Sequence, residues 1–271
     1  MEIQLWRELL HPYEQAVSEL IVKFNSLKME FSKNSLYSPI ESVQGRVKTV
    51  SSILEKMKKK GIPFEHLEDM VEDIAGIRII CQFVEDIEKV STLIKMRSDM
   101  EVLQQKNYLE NKKASGYRSY HLIVSYVVET IKGPKRIRVE IQIRTMAMNF
   151  WATTEHSLQY KYKGSIPEHI SGQLERISDA IFILDNEMSQ VRSEIIDAQI
   201  DSQIQTGIVK DILTCIENLY HVASEREVLK IQNEFYRIFM TNDIEELKRF
   251  QRQLDIFAEG YRAQSVDSKP L

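Results

Sequence analysis

Two segments near the middle of the chain alternate polar and apolar residues with the two-residue period of a β-strand. In residues 136–143 the apolar face carries only branched side chains, those of Ile137, Val139, Ile141 and Ile143. The opposite face carries Arg138, Glu140 and Gln142, and the preceding segment groups Tyr117, Ser119 and His121 in the same way. Because an unpaired buried charge is costly, this polar face is predicted to meet a ligand. An exposed antiparallel sheet face with cross-strand pairs would show the same alternation, so the pattern alone leaves both interpretations open.

The β-rich runs predict a mixed sheet flanked by helices. They cover residues 77–83, about 101–107, 117–128 and 136–143. One helix is predicted near residues 86–97, and turn signals at Ser115-Gly116 and Gly133-Pro134 mark the starts of the third and fourth strands. The predicted fold class is therefore α/β mixed (α+β).

Helical periodicity accounts for most of the remaining chain. Residues 1–30 place apolar side chains at helical spacing and predict one long amphipathic helix. A second helix is predicted for residues 43–60, because a glycine follows it and a proline lies just beyond. From Thr145 onward the chain is predicted to be almost continuously helical, with breaks at Gly164–Pro167 and near Ser202–Gly207. The C-terminal part holds two or three further amphipathic helices.

The composition limits the function classes that the chain can serve. With 271 residues, 43% of them hydrophobic and 28% charged, it can form one large domain or a domain with an appendage. No apolar run approaches the length of a membrane span, and the start, MEIQLWRELL, lacks the apolar core of a signal peptide. We therefore expect a cytoplasmic protein without membrane contact. The net charge of −4 argues against general nucleic-acid binding. Cys81 and Cys215 form no CxxC motif, which predicts two small buried hydrophobic residues.

A group of basic residues lies on the predicted second helix. Lys48, Ser52, Lys56 and Lys59 follow one another at offsets of 4, 8 and 11, which confines them to a sector of about 80°. Apolar residues occupy the opposite side: Val47, Val50, Ile53, Leu54 and Met57. A lysine face on an amphipathic helix is most often only solvated. Here Asp73 and Arg78, in the segment EDIAGIR, are expected to lie at the same end of the sheet, although Asp73 alone would also fit a helix cap.

Two separated carboxylates, Asp73 and Glu140, form a minimal set with this lysine face for handling a nucleoside triphosphate. Mg²⁺ is the expected cofactor, because it is held by one or two protein carboxylates and by phosphate oxygens. Lysine serves as a point charge for phosphates, and arginine can stack on a base. The chain has no Walker A loop and no GxGxxG, HExxH or GxSxG motif. None of its six histidines is followed by aspartate, so a metal-dependent His-Asp phosphohydrolase is not expected.

The chain contains, in this order, the segments SPIESVQGRVKTVSSILEKMKKK, DIAGIRIICQF, SGYRSYHLIV and VEIQIRTMAMNFWATTEHSLQYKY. With the helical region up to about residue 200, they resemble the RelA/SpoT-type alarmone synthetases, specifically the small single-domain form. The resemblance implies a nucleotidyltransferase-like sheet and transfer of a pyrophosphoryl group from ATP to the ribose 3′-hydroxyl of GTP or GDP. The products would be AMP and (p)ppGpp, the signal of the stringent response. A homo-oligomer is expected because the first helix and the helices after Thr145 carry more apolar surface than one small sheet can cover, and the resemblance implies a tetramer.

The resemblance also implies how ATP is bound. Its adenine would lie between Arg46 and Arg78. Its phosphates would be held by residues around the second helix, namely Lys48, Ser52, Lys56 and Lys59. Asp73 and Glu140 would bind magnesium, and Glu140 would also activate the acceptor hydroxyl.

A second set of residues is implied for the acceptor, GTP or GDP. Tyr117 would stack on guanine, and Asn149 and Ala152 would lie where the edge of that base is read. His121 and Gln142 would help to place the acceptor. Lys106 and Lys113 are the candidates for its 5′-phosphates.

Two features depart from the pattern of the small synthetases. Some members bind guanosine tetra- or pentaphosphate between subunits, through lysines on the first helix and a phenylalanine after the Pro-Ile-Glu turn. Ile21, Asn25 and Ser42 stand at the corresponding positions, so we expect weak or absent activation by product. The second departure is the helical extension. The predicted domains are therefore a synthetase domain at residues 1–200 and a C-terminal extension of unknown role at residues 201–271.

Two other functions stay open at this point. A catalytically silent guanine-nucleotide-binding regulator that acts through its helical tail would need neither Asp73 nor Glu140. A nucleotidyltransferase that releases pyrophosphate would keep both acids but would not need Tyr117 and the second basic loop.

Overall fold

The computed structural model describes residues 2–161 and 167–267, with the side chains of residues 4–159 and 167–260. The helices are α1 (Glu2–Lys33), α2 (Val50–Lys60), α3 (Leu67–Met70), α4 (Val84–Lys95), α5 (Met146–Lys161), α6 (Glu168–Leu219), α7 (Glu225–Thr241) and α8 (Ile244–Asp267). The strands are β1 (Ser42–Val47), β2 (Ala75–Cys81), β3 (Met100–Asn107), β4 (Tyr120–Thr130) and β5 (Gly133–Thr145). The chain divides into two compact units, Met1–Gln190 and Val191–Leu271.

A mixed five-stranded sheet, in the order β1-β2-β5-β4-β3, forms the centre of the first unit. Strands β2 and β5 run parallel, and the other neighbouring strands run antiparallel. The register places one polar residue of each strand in a single row: Gln44, Arg78, Gln142, His121 and Lys106. Because residues directly opposite each other in a sheet point to the same face, the row forms a polar strip across the sheet. The predicted α+β fold with a mixed sheet is confirmed.

The opposite face of the sheet is apolar and packs against α1. The shared core includes Tyr13, Leu20 and Phe24 of α1 with Ile77, Ile79, Leu122, Val124, Val139 and Ile141 of the strands. Burying one such side chain contributes roughly 1.5–3 kcal/mol. Gly45 of β1 permits this contact, since a Cβ there would lie 2.6 Å from Val17 Cγ1 and 2.9 Å from Ile21 Cδ1. With one face covered in this way, the polar strip lies on the other face.

The predicted second helix is wrong in its first part. Residues Ser42–Val47 form β1, which pairs antiparallel with β2, and α2 begins only at Val50. The side chain of Thr49 accepts a hydrogen bond from the backbone N–H of Ser52 and so caps this helix. Pairing with a buried strand, together with the β-branched valines of the segment, outweighs its helical periodicity.

This boundary moves two candidate residues off the helix. Arg46 lies on β1, and Lys48 lies in the connection between β1 and α2. Leu54 was predicted to pack on the apolar side, but it is 47% exposed, because its side of α2 faces away from the core. The predicted end of the helix is confirmed, since Gly61 adopts a left-handed conformation with φ 63° and its N–H bonds the carbonyl of Met57.

The loop before β4 was predicted to be part of that strand. β4 begins at Tyr120, so Tyr117 and Ser119 precede it. Their carbonyls accept hydrogen bonds from the backbone N–H groups of Lys113 and Tyr108, and these bonds form a loop instead of a strand pair. The other strands, α1 and α4 lie within a few residues of their predicted positions.

The predicted break near Ser202–Gly207 is wrong, because α6 continues unbroken from Glu168 to Leu219. A single glycine costs about 1 kcal/mol in a helix and does not by itself end one. The predicted break at Gly164–Pro167 falls largely on residues 162–166, which lie outside the described residues.

In the second unit, the last part of α6 packs with α7 and α8 around a separate apolar core. Fully buried residues of this core include Ile212, Val228 and Leu247. Ser224 and Glu227 form a capping box at the start of α7. The predicted helical extension is confirmed, while the assignment of catalysis to residues 1–200 stays a prediction.

Two further observations concern the whole described chain. No helix in its described part is long and apolar enough to cross a membrane. The Cys81 thiol is free and buried, as predicted, whereas Cys215 is only partly buried. Burial raises the pKa of the Cys81 thiol, which therefore stays protonated.

Candidate active site

A pocket opens on the polar face where β1, β2 and β5 meet. It is lined by Gln44, Gly45, Arg46, Asp73, Gly76, Ile77, Arg78, Glu140 and Gln142. Five of these residues were predicted from the sequence: Arg46, Asp73, Arg78, Glu140 and Gln142. The structure therefore brings two carboxylates, two guanidinium groups and an amide together in one pocket.

Asp73 is held by two lysines. Lys48 Nζ lies 2.8 Å from Oδ2, and Lys56 Nζ lies 2.7 Å from Oδ1. Burial alone would raise the pKa of Asp73, but the hydrogen bonds and charges of the two lysines outweigh it and hold the pKa below its ordinary value. The carboxylate is thus ionised at neutral pH. The alternative of a helix cap is wrong, because the strand β2 follows Asp73 and both oxygens bind lysines.

Glu140 is held by neighbours on β4 and β5. His121 Nδ1 lies 3.0 Å from Oε1, and Gln142 Nε2 donates to Oε2 at 2.7 Å. Burial would raise the pKa of Glu140, and the negative charge of Asp73 acts in the same direction. The interactions of Glu140 with His121 and Gln142 outweigh both and lower the pKa. Glu140 is therefore an ionised carboxylate that can accept a proton.

Neither arginine of the pocket is paired with a carboxylate among the residues that the structure describes. Arg46 is exposed on β1, and the Nε of Arg78 is buried without a hydrogen-bond partner in the described part of the chain. Burial lowers the pKa of Arg78, and the charges of Arg144 and Arg46 lower it further. An unsatisfied buried donor costs about 1–3 kcal/mol, so this side of the pocket favours a ligand with acceptor atoms and a flat surface for stacking.

The loop before β4 brings aromatic and basic groups next to Glu140. The Tyr117 hydroxyl lies 2.9 Å from Nε2 of His121. The ammonium nitrogen of Lys113 lies 4.7 Å from the ring centroids of both Tyr108 and Tyr117. Burial lowers the pKa of Lys113, although the charge of Glu140 opposes the shift. The loop therefore combines a ring for stacking with a cation for a phosphate.

Helix α6 fixes the position of this loop. Lys112 Nζ lies 2.9 Å from Asp179 Oδ1, and Arg118 donates to the same oxygen at 3.0 Å. The hydroxyl of Ser178 donates to the carbonyl of Gly116. Gly116 has φ 90°, and a Cβ there would lie 3.0 Å from the Cβ of Ser178, so only glycine fits. Two of these anchors, Gly116 and Arg118, lie directly on either side of Tyr117.

Ser52, Lys59 and Lys106 are among the candidate residues that do not line the pocket. Ser52 is hydrogen-bonded to Thr49 in the first turn of α2, and Lys59 is exposed in its last turn. Lys106 belongs to the polar row and donates to Glu72 at 2.6 Å. Their assignment to phosphates stays a prediction.

The two candidates on α5 are also outside the pocket lining. Ala152 is buried, and Oδ1 of Asn149 is buried without a hydrogen-bond partner among the described residues. A buried carbonyl oxygen without a donor is uncommon. The unpaired oxygen therefore marks Asn149 as a residue with unused hydrogen-bonding capacity.

Comparison with known proteins decides the family. The profile of the region found in RelA / SpoT proteins matches residues 45–165. GTP pyrophosphokinase YjbM from Bacillus subtilis (strain 168) is 51% identical over 199 residues, which make up 73% of this chain and 94% of the relative. The chain belongs to the small alarmone synthetases of the RelA/SpoT family.

Solved structures of small alarmone synthetases share the fold of this chain. Small alarmone synthetase 1 from Bacillus subtilis, bound to its product pppGpp, matches with a TM-score of 0.69 and 51% identity, and the match covers 71% of this chain and 98% of that chain. The same synthetase bound to AMPCPP matches with a TM-score of 0.64 and 48% identity over 72% of this chain and 99% of that chain. The predicted family is thereby confirmed.

One buried residue of this synthetase was missed by the sequence prediction. Arg144, at the end of β5, donates to the Tyr117 hydroxyl and to Gln142 Oε1, each at 2.5 Å. The sequence pattern assigned the guanidinium group on the polar face of β5 to Arg138. The Nη2 of Arg138 instead lies 3.9 Å from Oδ1 of Asp69. The signal was present, because Arg144 continues the two-residue alternation that begins at Arg138.

Proposed function

We propose that this small alarmone synthetase is a GTP diphosphokinase (ATP:GTP 3′-diphosphotransferase). It transfers the pyrophosphoryl group of ATP to the ribose 3′-hydroxyl of GTP or GDP and produces AMP and (p)ppGpp. The observation that carries the proposal is the pair Asp73 and Glu140 in one pocket, beside the lysines that bind Asp73. The family relatives support it, since one is a GTP pyrophosphokinase and the solved structures hold pppGpp and AMPCPP.

ATP is assigned to the side of the pocket formed by β1, β2 and α2. Its adenine would lie between the guanidinium groups of Arg46 and Arg78, and the unsatisfied Nε of Arg78 supports this placement. Lys48 and Lys56 would turn from Asp73 to the phosphates, and Ser52 and Lys59 would extend this basic surface along α2. Lysines placed in this way offset the negative charge that develops on the transferred group.

The donor set of the pocket fits magnesium. Asp73 and Glu140 supply hard carboxylate oxygens that are both kept ionised, and the negative charge of Asp73 acts on Glu140. Among the described residues no group of three or more His, Cys, Asp or Glu side chains is arranged to hold a metal. Mg²⁺ takes its remaining ligands from phosphate oxygens and water. When bound by Asp73 and Glu140, it would supply positive charge next to the phosphates.

Glu140 is the proposed general base. Its carboxylate accepts the proton of the ribose 3′-hydroxyl while the hydroxyl oxygen attacks the β-phosphorus of ATP in line. The new bond joins this oxygen to the β-phosphorus. The bond from the β-phosphorus to the oxygen it shares with the α-phosphorus breaks, and AMP leaves with that oxygen. Catalysis then rests on holding the two nucleotides in line and on offsetting charge.

The acceptor is assigned to the loop before β4 and to α5. Tyr117 would stack on guanine, while His121 and Gln142 would place the ribose next to Glu140. The remaining contacts would come from Lys106 and Lys113 at the 5′-phosphates and from Asn149 and Ala152 at the base edge. The unpaired Oδ1 of Asn149 supports this role, because guanine offers N–H donors at its edge.

The assembly and location are part of the proposal. We expect a cytoplasmic homo-oligomer, in the form of a tetramer. The apolar side chains of Val22 on α1 and Phe150 on α5 are exposed, and association of subunits would bury such groups. A monomer seen by light scattering at micromolar concentration would contradict the expected assembly.

A nucleotide-product assay tests the function. The purified chain is incubated with ATP, Mg²⁺ and either GTP or GDP, and the products are separated by anion-exchange chromatography. We expect AMP and a guanosine penta- or tetraphosphate in equal amounts, and neither from the matched isosteric variant Glu140→Gln. A folded wild-type chain that forms no such guanosine product would reject the proposal.

A further inference from the structure

Glu140 and four other polar side chains form a closed ring of hydrogen bonds. The members are Arg144, Tyr117, His121, Glu140 and Gln142. Arg144 stands at one side of the ring and Glu140 at the other. Two arms join them, one through Gln142 and one through Tyr117 and His121.

Arg144 determines which group donates and which accepts in the hydrogen bonds of both arms. Its guanidinium has only donors, and its Nη2 donates one bond to the Tyr117 hydroxyl and one to Gln142 Oε1, each at 2.5 Å. The amide of Gln142 must then present its NH₂ group to Glu140, and it does so at 2.7 Å. A Tyr117 hydroxyl that accepts from Arg144 has its own proton free for His121, at 2.9 Å.

His121 passes the donor-to-acceptor direction set by Arg144 on to the Glu140 carboxylate. When its Nε2 accepts from Tyr117, the ring proton of a neutral imidazole sits on Nδ1, which then donates to Glu140 Oε1 at 3.0 Å. Both oxygens of Glu140 therefore receive a donor whose orientation starts at Arg144. The ring fixes the plane of this carboxylate through two independent arms.

The surroundings of Arg144 also indicate a role beyond structure. The residue is 4% exposed; its Nε also donates to the Ser119 hydroxyl at 3.3 Å, and its guanidinium carbon lies 4.9 Å from the centroid of the Tyr117 ring. No ion pair joins Arg144 to a carboxylate in the described part of the chain. A buried charge without a counter-ion is expensive, so its retention at this place calls for a compensating function.

We propose that Arg144 is a positioning residue for the phosphoryl-transfer reaction. It acts through Gln142 and Tyr117 to orient the Glu140 carboxylate toward the acceptor hydroxyl. Without the two hydrogen bonds that Arg144 donates, the Gln142 amide can turn its oxygen toward Glu140, and the Tyr117 hydroxyl can donate elsewhere. The inference rests on the proposed function, because turnover is its readout.

The test compares Arg144→Gln with Arg136→Gln, a matched control on the same strand. Arg136 is largely exposed and pairs with Glu101. For Arg144→Gln we expect kcat to fall by about 100-fold, with the KM for ATP changed by no more than about twofold. Arg144→Lys keeps the charge but replaces the planar guanidinium with a single donor nitrogen, and we expect a loss of roughly tenfold. Arg136→Gln should match the wild type.

A double-mutant cycle distinguishes positioning from a general effect on folding. If Arg144 acts through Tyr117, the double variant with Tyr117→Phe should have nearly the kcat of the slower single variant. Multiplying losses would overturn the proposal, as would an Arg144→Gln variant as active as Arg136→Gln. If Arg144→Gln loses its helical circular dichroism, the same cycle is run with Arg144→Lys. An inactive wild type would instead reject the proposed function, so the two failures are distinguishable.

Discussion

The ammonium nitrogen of Lys56 lies 2.7 Å from a carboxylate oxygen of Asp73. Lys48 binds the other oxygen, so the acid and the two proposed phosphate ligands already form one cluster. Binding of ATP with magnesium would exchange these partners, since the lysines would take the phosphates and Asp73 the cation. The cluster thus keeps three charged groups ready at the proposed site of the triphosphate.

The first prediction concerns the charge of Asp73. Asp73→Asn preserves the shape of the side chain but removes the charge assigned to the cation. Turnover should fall at least tenfold, which corresponds to about 1.4 kcal/mol of barrier. Steady-state kinetics with saturating ATP and GTP measure the loss. Asp69→Asn is the matched control, because Asp69 is exposed and lies outside the pocket lining; equal activity of the two variants would remove Asp73 from its assigned role.

A second prediction separates the ring of Tyr117 from its hydroxyl. Base–aromatic stacking is worth about 1–3 kcal/mol, so Tyr117→Ala should raise the KM for GTP by roughly 5- to 150-fold. Tyr117→Phe keeps the ring and should leave this KM nearly unchanged while kcat falls, because its bond to His121 is lost. In both variants the KM for ATP should move much less. Equal changes in both KM values would show that the ring supports the sheet instead of a base.

A third prediction concerns the anchoring of the loop by α6. Asp179→Asn weakens the bonds to Lys112 and Arg118, which flank Tyr117. We expect the KM for GTP to rise by roughly two- to tenfold with little change in the KM for ATP, since a loosened loop must be ordered again on binding. Limited proteolysis should also cut the loop faster. Glu187→Gln, exposed on the same helix, is the control; a loop unchanged in both measurements would show that Asp179 does not hold it.

The fourth prediction follows from a buried acid on α6. Asp185 is buried and accepts a hydrogen bond from the Thr145 hydroxyl at 2.6 Å. Burial raises the pKa of Asp185 from an ordinary value of 3.8 to about 6, although the bond from Thr145 opposes the shift. The folded state therefore holds this proton more tightly than the unfolded state. Its contribution to stability is fully present below about pH 4 and is lost as the pH rises to about 6.

Asp185→Asn should remove this loss of stability at higher pH, because the amide carries no charge and can still accept a hydrogen bond from Thr145. At pH 7.5 the variant should exceed the wild type in free energy of unfolding by up to roughly 3 kcal/mol. At pH 4 the two should be nearly equal. Urea unfolding at both pH values measures the difference, with Glu187→Gln as the exposed control. The same difference at pH 4 and pH 7.5 would show that the charge of Asp185 is not responsible.

Periodicity predicted the elements whose two sides differ most in burial. The apolar face of β5 and the length of α1 follow directly from the periodicity of their apolar residues. The reason is that β5 and α1 bury their apolar faces in one shared core. The strand β1 was misassigned, since its helical spacing of apolar residues is overridden by pairing with β2. Local sequence does not reveal such a partner. The break near residue 207 was predicted wrongly for the opposite reason. There the sequence does carry a local signal, a glycine, but one glycine is too weak to end α6.

The candidate site shows a similar division. Asp73, Arg78, Glu140 and Gln142 could be placed together, because strand alternation and order along the chain fix their end of the sheet. Arg144 was missed because the alternation was followed only as far as Gln142. The anchoring of the loop by Asp179 could not be predicted, since its partners lie about sixty residues earlier in the sequence.

The most direct test of the account follows the terminal phosphate of ATP. ATP radiolabelled at its γ-phosphorus is incubated with the purified chain, GTP and Mg²⁺, and the products are separated by chromatography. Attack on the β-phosphorus predicts that the label enters a guanosine pentaphosphate while unlabelled AMP forms in equal amount. Label that accumulates in free pyrophosphate, with no labelled guanosine nucleotide, would contradict the account and would indicate a different nucleotidyl transfer.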